Sequence, residues 1–148
     1  LGPDLTRTKV AYPLASQGSK VGFTLTGWDC RPQCEIQVPT EAATFFPFTG
    51  RKGQTHLKVE IRLPDGRVVS EDTIWWHRKH QHQYRLRSPG LIRGSGARAG
   101  DIVLMELVKR TRDYRAQLLK KRSTLYSRVL PRLSEVTRGK KWGLLSLD

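Results

Sequence analysis

Two short segments of the chain combine the side chains that read nucleic-acid bases. The first runs from Trp28 to Cys34 (WDCRPQC) and the second from Trp76 to Tyr84 (WHRKHQHQY). Arg donates two hydrogen bonds to guanine, Gln pairs with adenine, and Asp accepts from cytosine, so both segments hold base-reading groups. Each lies between predicted strands and has an aromatic residue at its edge to anchor it. The pattern favours base readout over two ordinary polar loops.

The second segment belongs to a basic region without acidic residues. Between Thr73 and Gly100 there is no Asp or Glu, although this stretch contains six Arg or Lys and three His. The whole chain of 148 residues has 27 Lys and Arg against 13 Asp and Glu, a net charge of +14. Such an excess repels itself unless a polyanion neutralises it, so nucleic acid is the first candidate partner. An anionic membrane surface is disfavoured because no basic segment has a continuous apolar helical face.

Catalytic patterns are sparse. Nuclease sites gather carboxylates around a metal ion, whereas Glu71 and Asp72 are the only adjacent acidic pair and no matching Lys pattern accompanies them. We therefore predict no catalytic residue and no cofactor in this domain. A small metal-free nuclease that uses His77 or His80 as a general base remains an alternative.

Two further motifs invite site hypotheses. Cys30 and Cys34 form C-x3-C, and His77 and His80 form H-x2-H, but these spacings match a zinc site only loosely, so we predict no metal. The glycine-rich stretch 94–100 lacks the Lys-Ser or Lys-Thr ending of a phosphate-binding loop and leads into a predicted strand, so it is interpreted as a connection.

The elements that must position these segments are mainly strands. Leu57, Val59, Ile61 and Leu63 alternate with polar residues, and the turn residues 64–66 then lead into a second strand, which predicts a β-hairpin. The remaining strand predictions are 21–25, 36–38, 101–108 and 114–119, with one helix over 101–119 as the competitor to the last two. A short helix capped by Thr40 and a helical turn or two within 126–136 complete the prediction.

About seven short strands with small helices predict a mixed barrel or sandwich. We expect one domain over 1–148, with its core at about 20–119 and a C-terminal extension of unknown role at 120–148. No apolar run approaches a membrane span. The chain begins at Leu1 without a signal sequence and has two Cys, so we expect a piece of a longer cytoplasmic protein.

An ordered series of motifs resembles one family. The motifs are Gly27-Trp28, Arg31-Pro32-Gln33, Ile36-Gln37-Val38-Pro39, Phe45-Phe46-Pro47-Phe48-Thr49-Gly50, Leu63-Pro64-Asp65-Gly66, Tyr84-Arg85-Leu86-Arg87 and Gly100-Asp101-Ile102-Val103. In order and spacing the series resembles the DNA-recognition domains of restriction endonucleases of the EcoRII and BfiI kind, over about Lys20 to Leu119. The resemblance implies a mainly β fold, a seven-stranded open pseudobarrel of the B3-like type shared with plant B3 transcription factors.

The resemblance also implies a binding site made of two arms that grip the DNA major groove. The N-terminal arm corresponds to Asp29–Cys34 and the C-terminal arm to His77–Gln83. The candidates for base readout are Asp29, Arg31, Gln33, Arg78, Lys79, His80 and Gln81. The candidates for phosphate contacts, which position the protein without specifying sequence, are Lys20, Arg51, Lys52, Arg85, Arg87 and Arg93.

The function that follows is sequence-specific binding of double-stranded DNA, as the target-recognition or effector domain of a type II restriction endonuclease in the prokaryotic cytoplasm. Its partners would be DNA and a nuclease domain of the same parent protein, since cleavage in such enzymes belongs to a separate domain. An RNA-binding barrel module is the main alternative. The residues after Arg122 depart from the family pattern.

Overall fold

Nine strands form one curled, open sheet in the computed structural model, which describes residues 18–47, 53–78, 83–109 and 113–145. The strands are β1 (Lys20–Thr24), β2 (Glu35–Val38), β3 (Gln54–Arg62), β4 (Val68–Arg78), β5 (Gln83–Arg87), β6 (Ile102–Lys109), β7 (Asp113–Leu119), β8 (Glu135–Thr137) and β9 (Lys140–Leu145). Their order in the sheet is β2-β5-β4-β3-β7-β6-β1-β9-β8. Only the β3–β7 pair is parallel among these neighbours.

Short helical segments connect the strands. They are a 3-10 helix at Thr40–Phe45, a π-helical turn at Gly90–Gly94, the α-helix α1 at Thr124–Val129 and a 3-10 turn at Leu130–Arg132. The predicted mainly β, open-barrel class is confirmed, although the sheet has nine strands rather than seven. Within the described ranges, no helix has the length and apolar composition that crossing a membrane requires.

The hairpin of β3 and β4 follows from the alternation in the sequence. Leu57, Val59 and Ile61 are buried, and the polar residues between them are exposed, because successive side chains of a strand point to opposite faces. Asp65 fixes the turn by accepting hydrogen bonds from Nε and the backbone N–H of Arg67, at 2.8 and 3.0 Å. The predicted hairpin is confirmed, and β4 extends as far as Arg78.

The apolar run after the glycine-rich stretch is a strand, so the competing helix over 101–119 is wrong. β6 pairs antiparallel with β7, with Val103 opposite Leu118 and Met105 opposite Ala116. Both faces of β6 are covered, which explains why the run lacks clear alternation. Val103 and Met105 face the main core, whereas Ile102 joins a second apolar cluster.

That second cluster shows that the C-terminal segment belongs to the fold. Its buried members come from β6, β7, α1, β9 and the turn before β8, and they are Ile102, Leu104, Leu119, Val129, Leu133 and Leu145. β9 lies between β1 and β8 in the sheet. The predicted core of about 20–119 is therefore too short, because residues up to Leu145 contribute buried side chains.

The first short helix forms at the predicted place with a different start. Pro39 occupies its N-cap position, and no side chain caps it, so the predicted cap by Thr40 is wrong. In contrast, Ser123 caps α1 by accepting a hydrogen bond from the Tyr126 N–H at 3.2 Å. The predicted helical turn within 126–136 thus begins slightly earlier.

Candidate nucleic-acid interface

The N-terminal arm is a series of tight turns between β1 and β2. The Cys30 N–H donates to the Gly27 carbonyl at 3.2 Å, and the Cys34 N–H donates to the Arg31 carbonyl at 2.9 Å. Cys34 has a positive φ of 58°, and its carbonyl accepts from the Ser88 N–H at 3.0 Å. These short-range bonds hold the arm in one shape before any ligand binds.

Asp29 anchors this arm from inside the protein. It is fully buried, its Oδ2 accepts from the Thr26 N–H at 2.8 Å, and its Oδ1 accepts from the Gln37 N–H at 2.9 Å. Lys140 Nζ lies 2.5 Å from Oδ2 and also donates to the Gln37 carbonyl. The prediction that Asp29 contacts a base is wrong, because its oxygens are occupied and no part of it reaches the surface.

Lys140 supplies the opposite charge of this buried pair from the C-terminal strand β9. Burial lowers the pKa of the Lys140 ammonium, while the adjacent Asp29 carboxylate acts in the opposite direction. Lys140 was not among the functional residues predicted from the sequence. The available signal was the Arg138-Gly139 dipeptide between two short β-prone runs, since a glycine there is typical of a two-residue hairpin turn.

Trp28 provides the platform on which the exposed part of the arm rests. The guanidinium carbons of Arg31 and Arg85 lie 4.7 and 4.8 Å from the centre of its ring, within the range of cation–π attraction. With the Gln33 amide oxygen turned towards Arg31, it accepts from Nε and Nη2 at 3.2 and 3.0 Å. The structure therefore brings the exposed Arg31 and Gln33 together as one hydrogen-bonding unit.

Arg85 supports this platform rather than offering a free cation. Its side chain is only 11% exposed, its Nη1 lies 3.2 Å from Glu35 Oε1, and its Nη2 donates to Gln83 Oε1 at 2.6 Å. The predicted phosphate contact by Arg85 is wrong in this arrangement, because its guanidinium is largely covered and already bonded.

Arg87 and Arg93 are the predicted phosphate contacts that do lie beside the N-terminal arm. Arg87 is exposed and pairs in register with Glu35, the residue that follows the arm. Arg93 is also exposed, and its Nη2 donates to the Pro32 carbonyl at 3.1 Å. Two cations thus flank the surface that Arg31 and Gln33 present.

Lys20 is separated from this group. It is the first residue of β1, and the other end of that strand, at Thr24, leads towards the arm. Four residues of extended chain separate Lys20 from Thr24 by about 13 Å. It lines a different cavity together with Glu60, Glu106 and Arg115. Lys20 therefore stands apart from the N-terminal arm, and its phosphate contact stays a prediction.

The C-terminal arm is described only at its base. Arg78 ends β4 opposite Gln83, while its side chain and the predicted Lys79, His80 and Gln81 lie outside the described residues, as do the predicted phosphate contacts Arg51 and Lys52. At the base, the His77 ring stacks on Tyr84 with centres 4.3 Å apart. Tyr84 stacks in turn on the buried Trp75 at 5.3 Å. This aromatic stack fixes the root of the arm to the core.

The zinc alternative gains no support from the described residues. The Cys34 thiol lies 3.4 Å from the Pro32 carbonyl, and His77 is engaged in the ring stack. Burial is the main cause of the raised pKa of the Cys30 thiol. In residues 18–47, 53–78, 83–109 and 113–145, no three His, Cys, Asp or Glu side chains come together as metal ligands.

Comparison with known proteins identifies the fold. No protein-family model and no curated protein matches the chain. Among solved structures, the Arabidopsis FUS3–DNA complex is 19% identical and has a TM-score of 0.53, covering 67% of this chain and 94% of its own. The N-terminal domain of Helicobacter pylori LlaJI.R1 is 12% identical and has a TM-score of 0.61, with 87% and 99% covered.

A third similar structure is the B3 domain of the UbaLAI restriction endonuclease with cognate DNA. It is 13% identical, has a TM-score of 0.61, and covers 86% of this chain and 88% of its own. The chain therefore has the B3-like fold that its motifs suggested.

Proposed function

We propose that this B3-like chain binds double-stranded DNA sequence-specifically, as the target-recognition or effector domain of a restriction endonuclease. The observation that carries the proposal is the exposed Arg31–Gln33 unit, held on Trp28 above the buried Asp29 anchor. Support comes from two similar structures that are complexes with DNA, one of them a restriction endonuclease B3 domain.

Binding begins with electrostatic docking. Arg87 and Arg93 engage backbone phosphates on the side of the N-terminal arm, a contact that sets register without reading sequence. The net charge of +14 steers the protein towards the duplex and makes binding sensitive to salt.

Base readout follows in the major groove. Arg31 presents the planar donor fork that matches O6 and N7 of guanine, and Gln33 holds that fork in place while its amide NH2 group remains a donor for a neighbouring base edge. Because turns, the ion pair and Trp28 already fix the arm, little conformational entropy is lost on binding. The C-terminal arm, with Arg78, Lys79, His80 and Gln81, reads the groove from the other side.

Cleavage is assigned to a separate domain of the parent protein. The described acidic residues near the arms serve structural purposes: Asp29 pairs with Lys140, and Glu35 pairs with Arg85. The proposal includes no catalytic residue, cofactor or metal in this domain, and it places the parent enzyme in the prokaryotic cytoplasm.

Selection from a randomised duplex library tests the proposal. The chain is immobilised, retained duplexes are amplified and sequenced over several rounds, and the recovered site is measured against a scrambled duplex and an RNA of the same sequence. We expect a recurring site and at least a thousandfold preference over scrambled duplex, the lower end for specific DNA-binding proteins. A random pool after selection, or stronger binding to the RNA, contradicts the proposal.

A further inference from the structure

A polar cleft of about 270 Å³ lies beside the base of the C-terminal arm and is not used by the two-arm mechanism. It forms where the end of β2, the start of β5 and the turn between β8 and β9 meet. The lining residues are Thr26, Gln37, Val38, Pro39, Thr40, Gln83, Thr137, Arg138 and Lys140. Gln83 is the first residue of β5, so a ligand gripped by the C-terminal arm passes close to this cleft.

The cleft is suited to an anion. Three Thr and two Gln line the cleft together with Arg138, so hydroxyl and amide groups share it with a guanidinium. Lys140 is neutralised by Asp29, and within the described part of the chain Arg138 makes no ion pair. One carboxylate, Glu41, lies at the margin, where Thr137 Oγ1 donates to its Oε1 at 3.1 Å. Arg138 is therefore the exposed positive charge of the cleft.

The backbone at Arg138 is unusual for an arginine. Its φ is 50° and that of Gly139 is 80°, so both residues of the turn are left-handed. Such turns favour Asn or Gly at the first position, because a long side chain is strained there. The Arg138 side chain is exposed. An observed strained residue of this kind points to a role outside folding.

The turn is held firmly relative to the N-terminal arm. β9 pairs with β1, and Trp142 Nε1 donates to Thr137 Oγ1 at 3.1 Å. The adjacent Lys140 forms the ion pair that also anchors the N-terminal arm. Arg138 thus keeps a fixed position with respect to the N-terminal arm.

We propose that Arg138 and the cleft beside it bind a backbone phosphate of the DNA, as a third contact supplied by the C-terminal hairpin. The inference rests on the proposed function, since the duplex is the one that the two arms hold. A guanidinium with neighbouring hydroxyl and amide donors is the geometry that recognises phosphate oxygens.

The test compares Arg138→Asn with the intact chain, using the selected duplex and a scrambled duplex in fluorescence anisotropy over a salt series. Because Asn tolerates left-handed backbone, we expect the melting temperature to be maintained or raised. We expect affinity for both duplexes to fall about tenfold, as for the loss of one hydrogen bond to a charged group. The slope of log K against log salt should fall in magnitude by about 0.9.

Arg128→Ala is the matched control, because it removes the same charge from an exposed position on α1 that does not line the cleft. It should leave the affinity and the salt slope near those of the intact chain. If Arg138→Asn binds both duplexes with the affinity and salt slope of the intact chain, this inference alone is overturned. A loss of affinity confined to the selected duplex overturns the assignment to phosphate. Failure of the intact chain to bind any duplex overturns the proposed function and this inference together.

Discussion

At the scale of single residues, the buried and the exposed side chains of the N-terminal arm have different roles. Asp29 is inside the protein and holds the loop, whereas Arg31 and Gln33 are outside and present donors. Trp28 connects the two layers, because its ring lies within cation–π distance of both the exposed Arg31 and the largely covered Arg85. In the proposed function, recognition therefore depends also on residues that themselves touch no base.

Arg31→Ala should lower affinity for the selected duplex by about 1–3 kcal/mol, the usual cost of a lost bidentate contact, and relax specificity at one base pair. Anisotropy titrations with the selected duplex and its single-base variants measure both effects. Arg62→Ala is the control, since Arg62 is an exposed arginine on β3 far along the sheet from the arm. Equal losses on selected and scrambled duplexes would show that Arg31 contacts phosphate rather than a base.

Asp29→Asn should destabilise the fold by about 3–5 kcal/mol, because it leaves the Lys140 charge buried without its partner. Urea unfolding measures the change. Asp72→Asn is the matched control, since Asp72 forms an exposed pair with His56 and should change stability by less than about 1 kcal/mol. Adding Lys140→Met to Asp29→Asn should recover part of the lost stability. Similar unfolding midpoints for Asp29→Asn and Asp72→Asn would show that the buried pair is not an anchor.

At the scale of elements, the C-terminal segment completes the sheet that carries the arms. Val129 at the end of α1 and Leu133 in the turn before β8 pack against β1 and β6, and β9 adds Leu145 to the same cluster. The close approach requires small residues: a Cβ on Gly22 would lie 3.1 Å from Leu133 Cδ2, and a Cβ on Gly143 would lie 2.7 Å from the Arg132 carbonyl oxygen. The segment beyond Arg122, unassigned from sequence, is thus a structural layer.

Gly143→Ala should destabilise the protein by about 1–3 kcal/mol, because the new methyl group meets backbone that cannot move aside as a side chain could. Gly27→Ala is the matched control, since a Cβ at Gly27 has no neighbour within 4 Å and its φ is not positive. Thermal or urea unfolding should place the Gly27 variant at or slightly above the unmodified chain. Equal stability of the two variants would mean that β9 does not pack as closely as described.

At the scale of the whole molecule, one curled sheet joins sites that are distant in sequence, and a buried group in its core makes the stability of the fold depend on pH. Phe45, Phe46, Trp75 and Tyr114 form an aromatic group in that core, with ring centres 4.4–5.7 Å apart for the neighbouring pairs. Tyr114 also ties β7 to the first 3-10 helix, since its hydroxyl donates to the Phe45 carbonyl at 3.1 Å.

Alkaline stability should depend on Tyr114. Burial raises the pKa of its hydroxyl above the usual value, so the folded state keeps a proton that the unfolded state releases. This contribution is fully present below pH of about 10, the unfolded pKa, and is lost as pH rises above it, by up to about 1.4 kcal/mol per pH unit. Tyr114→Phe should therefore lose stability less steeply in that range, although it starts about 1 kcal/mol lower without the hydrogen bond.

Urea unfolding of both chains at pH 8, 9, 10 and 10.5 measures this difference. The other titrating groups are common to the two proteins, so the difference between their free energies of unfolding isolates the Tyr114 hydroxyl. Parallel pH profiles would contradict a buried, protonated Tyr114.

The sequence by itself determined the elements whose signal is local. Alternating apolar residues and the turn after them predicted β3 and β4, the acid-free basic stretch includes β5, and Arg31 and Gln33 were predicted as base contacts by residue type. Such patterns depend on neighbours a few positions apart, which burial of one strand face imposes directly on the sequence. The same reasoning predicted a mixed barrel or sandwich, and the resemblance to B3-like domains implied the open pseudobarrel.

Only the tertiary structure decided which charged residues are exposed and available to bind a ligand. Asp29 and Lys140 stand 111 positions apart, and nothing local distinguishes Asp29 from a base-reading acid or Lys140 from a solvated lysine. Arg85 is covered because β2 brings Glu35 against it, and Lys20 lies apart from the N-terminal arm because it stands at the far end of β1. The C-terminal strand pairs with the first strand of the sheet. Long-range pairing fixes burial, and burial decides whether a charge holds the fold or meets a ligand.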